Sequence, residues 1–413
     1  MAVVGAAGKM GRGIALLLAR LMAEDGGEGR HLHLIDSNSE GLNNLRRYLE
    51  RFGERTGHGP LLSSIHMSTN PSALADSHLV FEAVPEVEAI KVETLKRARQ
   101  LAPAAAMFFT NTSSIPICTL EEQSGLRGRL VGFHFYNPPP VQELLELIPS
   151  DSSPPVFLEL ARELGRRLGK RVVEARDVAA FIGNGHFVRE ALYALQLAKE
   201  MRDGGASWPR AIYSVNRATE QGLVRPMGIF QVVDYAGIDI VEAIVAVMAD
   251  NMEAEEFDSA LLKLLLERCI RGGQDPKGGQ HSGFFGYAGR QIESVYDLER
   301  DEYASVTAVA SQMGGAKSLA RAGESWGELS TGSGDQSTLE EHFHWLAELK
   351  SDGAQLAQSF ARASARIARK LVDERVAACD ADVNTVVTCG FSHLYGPLES
   401  CVHPLLIEPS KKE

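Results

Sequence analysis

Ala2-Val3-Val4-Gly5-Ala6-Ala7-Gly8-Lys9-Met10-Gly11-Arg12-Gly13 sets a short apolar run, a glycine cluster and the start of an apolar-periodic segment in direct succession. A strand that feeds a glycine loop, which in turn opens a helix, is the context in which glycine spacing carries meaning. The glycines allow a tight turn and close approach of backbone to a pyrophosphate, and the helix N-terminus offers N–H groups and a positive dipole end to that anion. The usual spacing is G-x-G-x-x-G. In this chain either Ala6 stands where the first glycine belongs, with Gly8 and Gly11 following, or the loop runs one residue longer from Gly5. Gly5, Gly8, Lys9, Met10 and Gly11 are the cofactor-binding residues expected of this loop. The acid that completes the pattern is Asp36, at the end of Leu32-His33-Leu34-Ile35. A carboxylate there accepts hydrogen bonds from ribose hydroxyls and repels a 2′-phosphate, so NAD is expected over NADP. The competing role for Asp36 is N-cap of a helix beginning near Ser39.

The alternation continues beyond this motif. Strand-length apolar runs recur at 79–81, 107–109 and 130–133, and a further strand is expected near Ile65. Amphipathic helices are expected over 11–22, 40–52 and 87–101, and strands at 143–148 and 171–174 flank a helix over 155–168. Strands alternating with helices imply crossover units and a parallel sheet. From Asp177 the pattern turns helical, with apolar spacing over 187–201, 208–221, 261–269, 339–349 and 355–379, and strand runs stop. The fold class expected is α/β, a Rossmann-type dinucleotide-binding domain over 1–176, followed by all-α helical domains over 177–295 and 296–413. A polar, glycine-rich flexible segment is expected near 314–336. A weak internal repeat supports a duplicated helical domain. A helix around Glu190 leads to Gly222-Leu-Val-Arg-Pro-Met-Gly-Ile-Phe230, and one around Glu374 leads to Gly390-Phe-Ser-His-Leu-Tyr-Gly-Pro-Leu398.

Composition narrows the function classes. The formal net charge of −12 over 413 residues argues against nucleic acid, whose phosphates need basic patches. No apolar run reaches membrane-spanning length, Met1 leads directly into a strand, and no membrane partner is expected. The scattered Cys118, Cys269, Cys379, Cys389 and Cys401 fit reduced thiols in a cytoplasm. The one H-x-H, His342-Phe343-His344, lacks neighbouring ligands and reads as a solvated helix face; no metal is expected.

The chemistry concentrates in His134-Phe-Tyr-Asn-Pro-Pro-Pro-Val-Gln-Glu-Leu-Leu-Glu146, which puts a histidine and a carboxylate at the ends of two apolar runs joined by a proline turn. Histidine accepts and returns a proton near neutrality, and a carboxylate on its far nitrogen fixes the tautomer and stabilises the imidazolium. Beside a nicotinamide that takes a hydride, the pair makes a dehydrogenase.

With these motifs in place, the chain resembles the L-3-hydroxyacyl-CoA dehydrogenase family. The resemblance is carried in order by Gly8-Lys-Met-Gly-Arg-Gly-Ile-Ala15, Phe81-Glu-Ala-Val-Pro-Glu86, Thr110-Asn-Thr-Ser-Ser114, His134-Phe-Tyr-Asn-Pro138, Phe181-Ile-Gly-Asn184 and Arg225-Pro-Met-Gly228. It implies NAD-dependent oxidation of a 3-hydroxyacyl-CoA, with His134 as catalytic base and Glu146 as its partner. It also implies Ser113 and Asn184 as catalytic and substrate-binding residues, Glu86 beside the nicotinamide, and Lys91 near cofactor and CoA. An acyl-CoA partner follows, with either a homodimer through the helical domains or a monomer whose repeat packs within the chain. Gly185-His186 follows Asn184 where the family commonly has arginine, and the stretch from Asp36 to Ile65 looks shorter than the family's helical arm. A dehydrogenase of a non-CoA hydroxy acid, or a non-catalytic NAD-binding relative, shares the same scaffold.

Overall fold

The computed structural model describes residues 1–24, 31–56, 64–275, 278–289, 291–311, 319, 321, 323–331 and 336–407. They form two compact units, one of residues 1–181 with 376–378, the other of 182–375 with 379–413.

In the first unit, strands β1 (Ala2–Val4), β2 (Leu32–Ile35), β3 (Ile65–Ser68), β4 (Leu79–Glu82), β5 (Met107–Thr110), β6 (Leu130–Phe135), β7 (Leu144–Ile148) and β8 (Arg171–Glu174) form one sheet in the order β3-β2-β1-β4-β5-β6-β7-β8. Helices α1 (Lys9–Glu24), α2 (Ser39–Thr56), α3 (Glu88–Leu101), α4 (Ile117–Ser124) and α5 (Pro155–Arg167) connect them. The order reverses at β1/β4, the switch point that in doubly wound sheets opens a crevice outside the strand ends. The pairing is parallel from β3 through β6, as alternation predicts, but β6 and β7 pair antiparallel. The proline turn is too short for a crossover, which needs a dozen or more residues. One face of the sheet is filled by a row of rings. Phe81 stacks on Phe109 at 4.7 Å, and Phe133 meets Phe109 edge-on at 5.1 Å. Helix α1 buries Ile14, Ala15, Leu16, Leu17 and Leu18 in succession, so it lies inside the unit rather than on its surface.

The second unit holds α6 (Gly183–Asp203), α7 (Trp208–Arg217), α8 (Ile229–Ala236), α9 (Ile238–Asn251), α10 (Ala260–Glu267), α11 (Val306–Ser311), α12 (Trp326–Thr331), α13 (Gln336–Glu348), α14 (Asp352–Asp373), α15 (Asp380–Phe391) and α16 (His403–Leu406). It is not wholly helical. Strands β9 (Phe285–Ala288), β10 (Gln291–Asp297) and β11 (Glu302–Ser305) form an antiparallel meander, which corrects the expectation that strand runs stop after Asp177. Buried Asp234 of α8 organises its edge by accepting from Phe284 N at 2.7 Å, Phe285 N at 3.0 Å and Tyr287 Oη at 2.8 Å. Burial pushes that carboxyl up to about 7 against these hydrogen bonds. The meander hangs on a tertiary contact, and its strands carry too few alternating apolar residues to be read alone.

Of the segment expected to be flexible, 314–318, 320, 322 and 332–335 lie outside the described residues, while Trp326–Thr331 is helix. His342 is buried, with Nδ1 3.1 Å from Glu324 Oε2 and Nε2 3.0 Å from Gly222 O. The solvated-face reading therefore holds for exposed His344 and fails for His342, whose ring finds polar partners inside the unit.

Two segments of this unit have matching internal geometry. Asn216 Oδ1 accepts from Phe230 N and Gln231 N, both at 3.1 Å, and Asn384 Oδ1 accepts from Leu398 N at 3.0 Å. Gly228 packs against Asn216, and Gly396 packs against Asn384 at the same spacing. Val224 and Ser392, at equivalent positions, both take positive φ, 48° and 57°.

Candidate active site

The glycine loop closes as a turn around Gly5, whose φ is 80° and whose added Cβ would lie 2.6 Å from Ala83 O. A Cβ on Gly11 would stand 2.0 Å from Gly5 O, so only glycine lets α1 start so close beneath the loop. Of the two alignments the sequence left open, the turn thus belongs to Gly5, and Ala6 is a buried loop residue. Gly8 is exposed at the start of α1, followed by Lys9 and Met10. Burial and neighbouring Arg12 hold the Lys9 ammonium below its ordinary range. Asp36 accepts from Ala7 N and from Asn38 N, both at 2.9 Å, while Asn38 caps the next helix by accepting from Gly41 N at 2.9 Å. Asp36 is therefore tied to the glycine loop and is not the cap. A glycine cradle, a helix start whose first N–H groups have no intrahelical acceptor and a carboxylate at the end of β2 together fit a dinucleotide.

Across the switch point lies a second polar group. Lys91 of α3 is buried, with Nζ 3.0 and 3.1 Å from the two oxygens of Glu82, 3.2 Å from Glu86 Oε2 and 3.3 Å from Val84 O. Glu82 also accepts from Val84 N at 2.7 Å and Thr110 Oγ1 at 2.5 Å. Glu86 Oε1 gathers Thr112 Oγ1 at 2.7 Å, Ser113 N at 2.7 Å, Ser113 Oγ at 3.2 Å, Ser114 N at 3.0 Å and Ser114 Oγ at 3.0 Å. Burial alone raises the Glu86 carboxyl; Lys91 and these donors outweigh it and hold it below its ordinary range. For Lys91 the signs reverse, since burial lowers the ammonium and the two carboxylates raise it further. Ser113, Glu86 and Lys91 are thus one connected cluster.

The histidine sits where its strand is buried throughout. All six residues of β6 and all five of β7 are buried, and His134 and Glu146 are register partners across the antiparallel pair. A polar residue on an otherwise apolar buried strand requires a partner, and each supplies the other's. His134 Nδ1 lies 2.9 Å from Glu146 Oε2, and Tyr136 Oη donates to the same oxygen at 2.8 Å. Burial, then the Glu146 charge, pushes the Tyr136 phenol well above its ordinary range, so it remains a donor. The joining loop is clamped by Lys170, whose Nζ donates to Pro139 O at 2.5 Å and Gln142 O at 2.6 Å. Burial, then Arg20, pushes this amine down to about 8, with Glu143 acting upward. Past β8 the backbone takes positive φ at Ala180 and Phe181, and the Phe181 ring lies 6.1 Å from that of His134.

Asn184 is the second residue of α6 and belongs to the other unit, so the first unit holds every expected site residue except that one. His186, of the Gly185-His186 pair that follows Asn184, is buried in the helical unit with Nε2 3.2 Å from Ser364 O. Glu82, Tyr136 and Lys170 were not read from sequence. Glu82 carried a usable signal, a carboxylate ending an apolar strand run as Glu146 interrupts one.

An imidazole–carboxylate couple in the same unit as a dinucleotide crevice is the equipment of a nicotinamide-dependent dehydrogenase. Residues 1–178 match the family model described as 3-hydroxyacyl-CoA dehydrogenase, NAD binding domain, and 191–279 match that of the C-terminal domain. A 3-hydroxybutyryl-CoA dehydrogenase of Mycobacterium tuberculosis is 31% identical over 293 residues, covering 69% of this chain and 97% of that protein. The human mitochondrial hydroxyacyl-coenzyme A dehydrogenase is 30% identical over 253 residues, 58% of this chain and 76% of the relative. Among solved structures, M. tuberculosis FadB2 aligns with a TM-score of 0.57 at 30% identity over 70% of this chain and 98% of its own. Escherichia coli 3-hydroxybutyryl-CoA dehydrogenase aligns with a TM-score of 0.65 at 19% identity over 96% of this chain and 89% of its own, a likeness of fold. The chain belongs to the 3-hydroxyacyl-CoA dehydrogenase family, and its cofactor is NAD.

Proposed function

We propose that the protein is an NAD-dependent 3-hydroxyacyl-CoA dehydrogenase in which His134 is the proton acceptor. The observation that carries this reading is the 2.9 Å contact of His134 Nδ1 with Glu146 Oε2, which commits Nδ1 and leaves Nε2 for the substrate's 3-hydroxyl. Nε2 takes the hydroxyl proton as the C3–O bond becomes a carbonyl, and Glu146 balances the imidazolium that results. NAD supplies the acceptor for the hydride that leaves C3. The family resemblance assigns Ser113 and Asn184 each to the substrate, as polar groups that bind it. Gly5, Gly8, Lys9, Met10 and Gly11 hold the pyrophosphate, Asp36 the adenosine ribose, and Glu86 with Lys91 the nicotinamide end. In the reverse direction His134 returns the proton.

The test is NADH consumption, followed by absorbance, with acetoacetyl-CoA and with free acetoacetate. Consumption with the thioester alone is expected. Consumption with the free acid alone transfers the reading to a non-CoA hydroxy acid. Turnover with neither, nor with longer 3-ketoacyl-CoAs, while NADH still binds, makes the chain a non-catalytic relative. The matching geometry at Asn216/Gly228 and Asn384/Gly396 supports three domains, 1–176, 177–295 and a second, degenerate helical copy over 296–413. Helix α6 of the first copy packs on α14 of the second, with Tyr193 Oη 2.7 Å from Ser359 Oγ, which supports a monomer over a homodimer; light scattering after size exclusion separates the two. Neither nucleic acid nor membrane is a proposed partner. The five unpaired cysteines support a cytoplasmic location, and among the described residues no helix is long and apolar enough to cross a membrane.

A further inference from the structure

The Glu82–Lys91–Glu86 cluster does not balance. Glu82 receives only donors: Lys91 Nζ, Val84 N and the Thr110 hydroxyl, which itself accepts from Thr112 N at 3.2 Å. Glu86 Oε1 accepts from two backbone N–H groups as well as from hydroxyls, and Oε2 faces Lys91. Carboxyl oxygens surrounded by donors are carboxylates. Two carboxylates against one ammonium leave one excess negative charge. The Lys91 and Glu82 side chains are each 1% exposed and Glu86 is 22% exposed, so that charge meets the crevice through Glu86.

Its position follows from the sheet. The pyrophosphate end of the crevice is the Gly5 loop after β1, and the ribose carboxylate Asp36 ends β2 on one side of it. The remaining half of a dinucleotide must extend to the other side, toward the ends of β4 and β5. That is where Ala83–Glu86 and Asn111–Ser114 lie. Ala83 is in contact range of the glycine loop, since a Cβ on Gly5 would meet Ala83 O.

We infer that the buried, net-negative Glu82–Lys91–Glu86 cluster discriminates between the oxidised and reduced cofactor, favouring the cationic nicotinamide ring of NAD⁺ over the neutral ring of NADH. The inference rests on the dehydrogenase reading, and it assigns Glu86 and Glu82 a role in setting the balance between the two directions. Both cofactor forms share every contact at the pyrophosphate and adenosine, so those cancel in the ratio of their affinities and the ring charge does not. One unit charge acting through a partly screened interior alters that ratio by roughly tenfold or more.

The experiment measures Kd for NADH by its fluorescence and for NAD⁺ by displacement, in the intact protein and in Glu86→Gln, Glu86→Asp and Glu82→Gln. Glu86→Gln removes the charge and nearly preserves the shape; the NAD⁺/NADH Kd ratio is expected to rise roughly tenfold. Glu86→Asp keeps the charge and shortens the reach, so its ratio stays near that of the parent even where both affinities fall. Glu82→Gln, buried behind Lys91, repeats the charge removal without touching the crevice and is expected to move the ratio in the same direction. An unchanged ratio in both Gln variants, with NADH still bound, overturns the inference and leaves the dehydrogenase reading intact. Equal shifts in Glu86→Gln and Glu86→Asp also overturn it, because shape and not charge would then set the ratio. Failure of the parent protein to bind either cofactor overturns the reading and the inference together.

Discussion

Glu146 and Glu82 occupy nearly the same environment and face different partners. Each is a carboxylate on a buried strand, at 0% and 1% exposure, and each is held at hydrogen-bond distance by a basic side chain. Glu146 faces an imidazole, the side-chain class suited to taking up and returning a proton; Glu82 faces Lys91, whose ammonium is fixed by two carboxylates. A titratable partner turns a buried carboxylate into a stabiliser of transient charge. A permanent partner turns it into a fixed source of field. In the proposed mechanism the two sites would divide proton handling from cofactor handling on the same sheet, one at β6/β7 and the other at the end of β4.

The sharpest way to break this comparison is His134→Ala. If His134 carries the proton, turnover falls by on the order of 10²- to 10⁴-fold while NADH binding, measured by fluorescence, stays within about twofold. Turnover near the parent rate removes His134 from the chemistry and makes the Glu146 pair structural. Glu146→Gln comes next. The amide keeps the shape of the hairpin but cannot balance an imidazolium, and kcat is expected to fall about 10- to 100-fold, again with cofactor affinity preserved. A loss of NADH affinity as large as the loss of kcat would erase the proposed division between the two carboxylates.

How much of this was legible beforehand depends on whether the signal was local. Gly5, Gly11 and Asp36 lie within one strand–loop–helix–strand unit, and their places in the turn and at the strand end follow from spacing. His134 and Glu146 are separated by a proline turn that fixes a hairpin register, so a short stretch placed them opposite one another. Lys170 and Tyr136 gave no such signal. Lys170 reaches back to Pro139 and Gln142 from the start of β8, and nothing in a lysine after a glycine announces that contact. His342 was misread for the same reason, since its partners Glu324 and Gly222 O are distant in sequence or on another helix. The meander of β9, β10 and β11 was missed because it depends on Asp234, which precedes it by a long interval.

Two smaller effects sharpen the comparison from outside the two carboxylates. Asp36→Ala removes an acceptor of charge-assisted hydrogen bonds at the far end of the crevice, and the NADP/NAD ratio of kcat/KM is expected to rise by roughly tenfold. An unchanged ratio would show that Asp36 serves only its contacts with Ala7 N and Asn38 N. Lys170→Met frees the loop between His134 and Glu146. The expected loss is several-fold in kcat, roughly the effect of a slightly misplaced base, with KM for NAD unaltered. A change in KM for NAD without a change in kcat would assign Lys170 to the cofactor side.

The smallest expected effect is the most specific. Tyr136 donates to the same Glu146 oxygen that holds His134 Nδ1, so Tyr136→Phe removes that hydrogen bond and leaves the histidine couple in place. The loss of about 1 kcal/mol of support for that carboxylate predicts only a few-fold fall in kcat. The direction of the pH response follows from where the phenol titrates. Burial and the Glu146 charge keep it protonated well above its ordinary range, so it contributes no alkaline limb to the parent's profile. The alkaline side of the pH profile is therefore expected to be the same in Tyr136→Phe as in the parent. A changed alkaline side, or a large loss of kcat, would mean that Tyr136 acts on the substrate directly and not through Glu146.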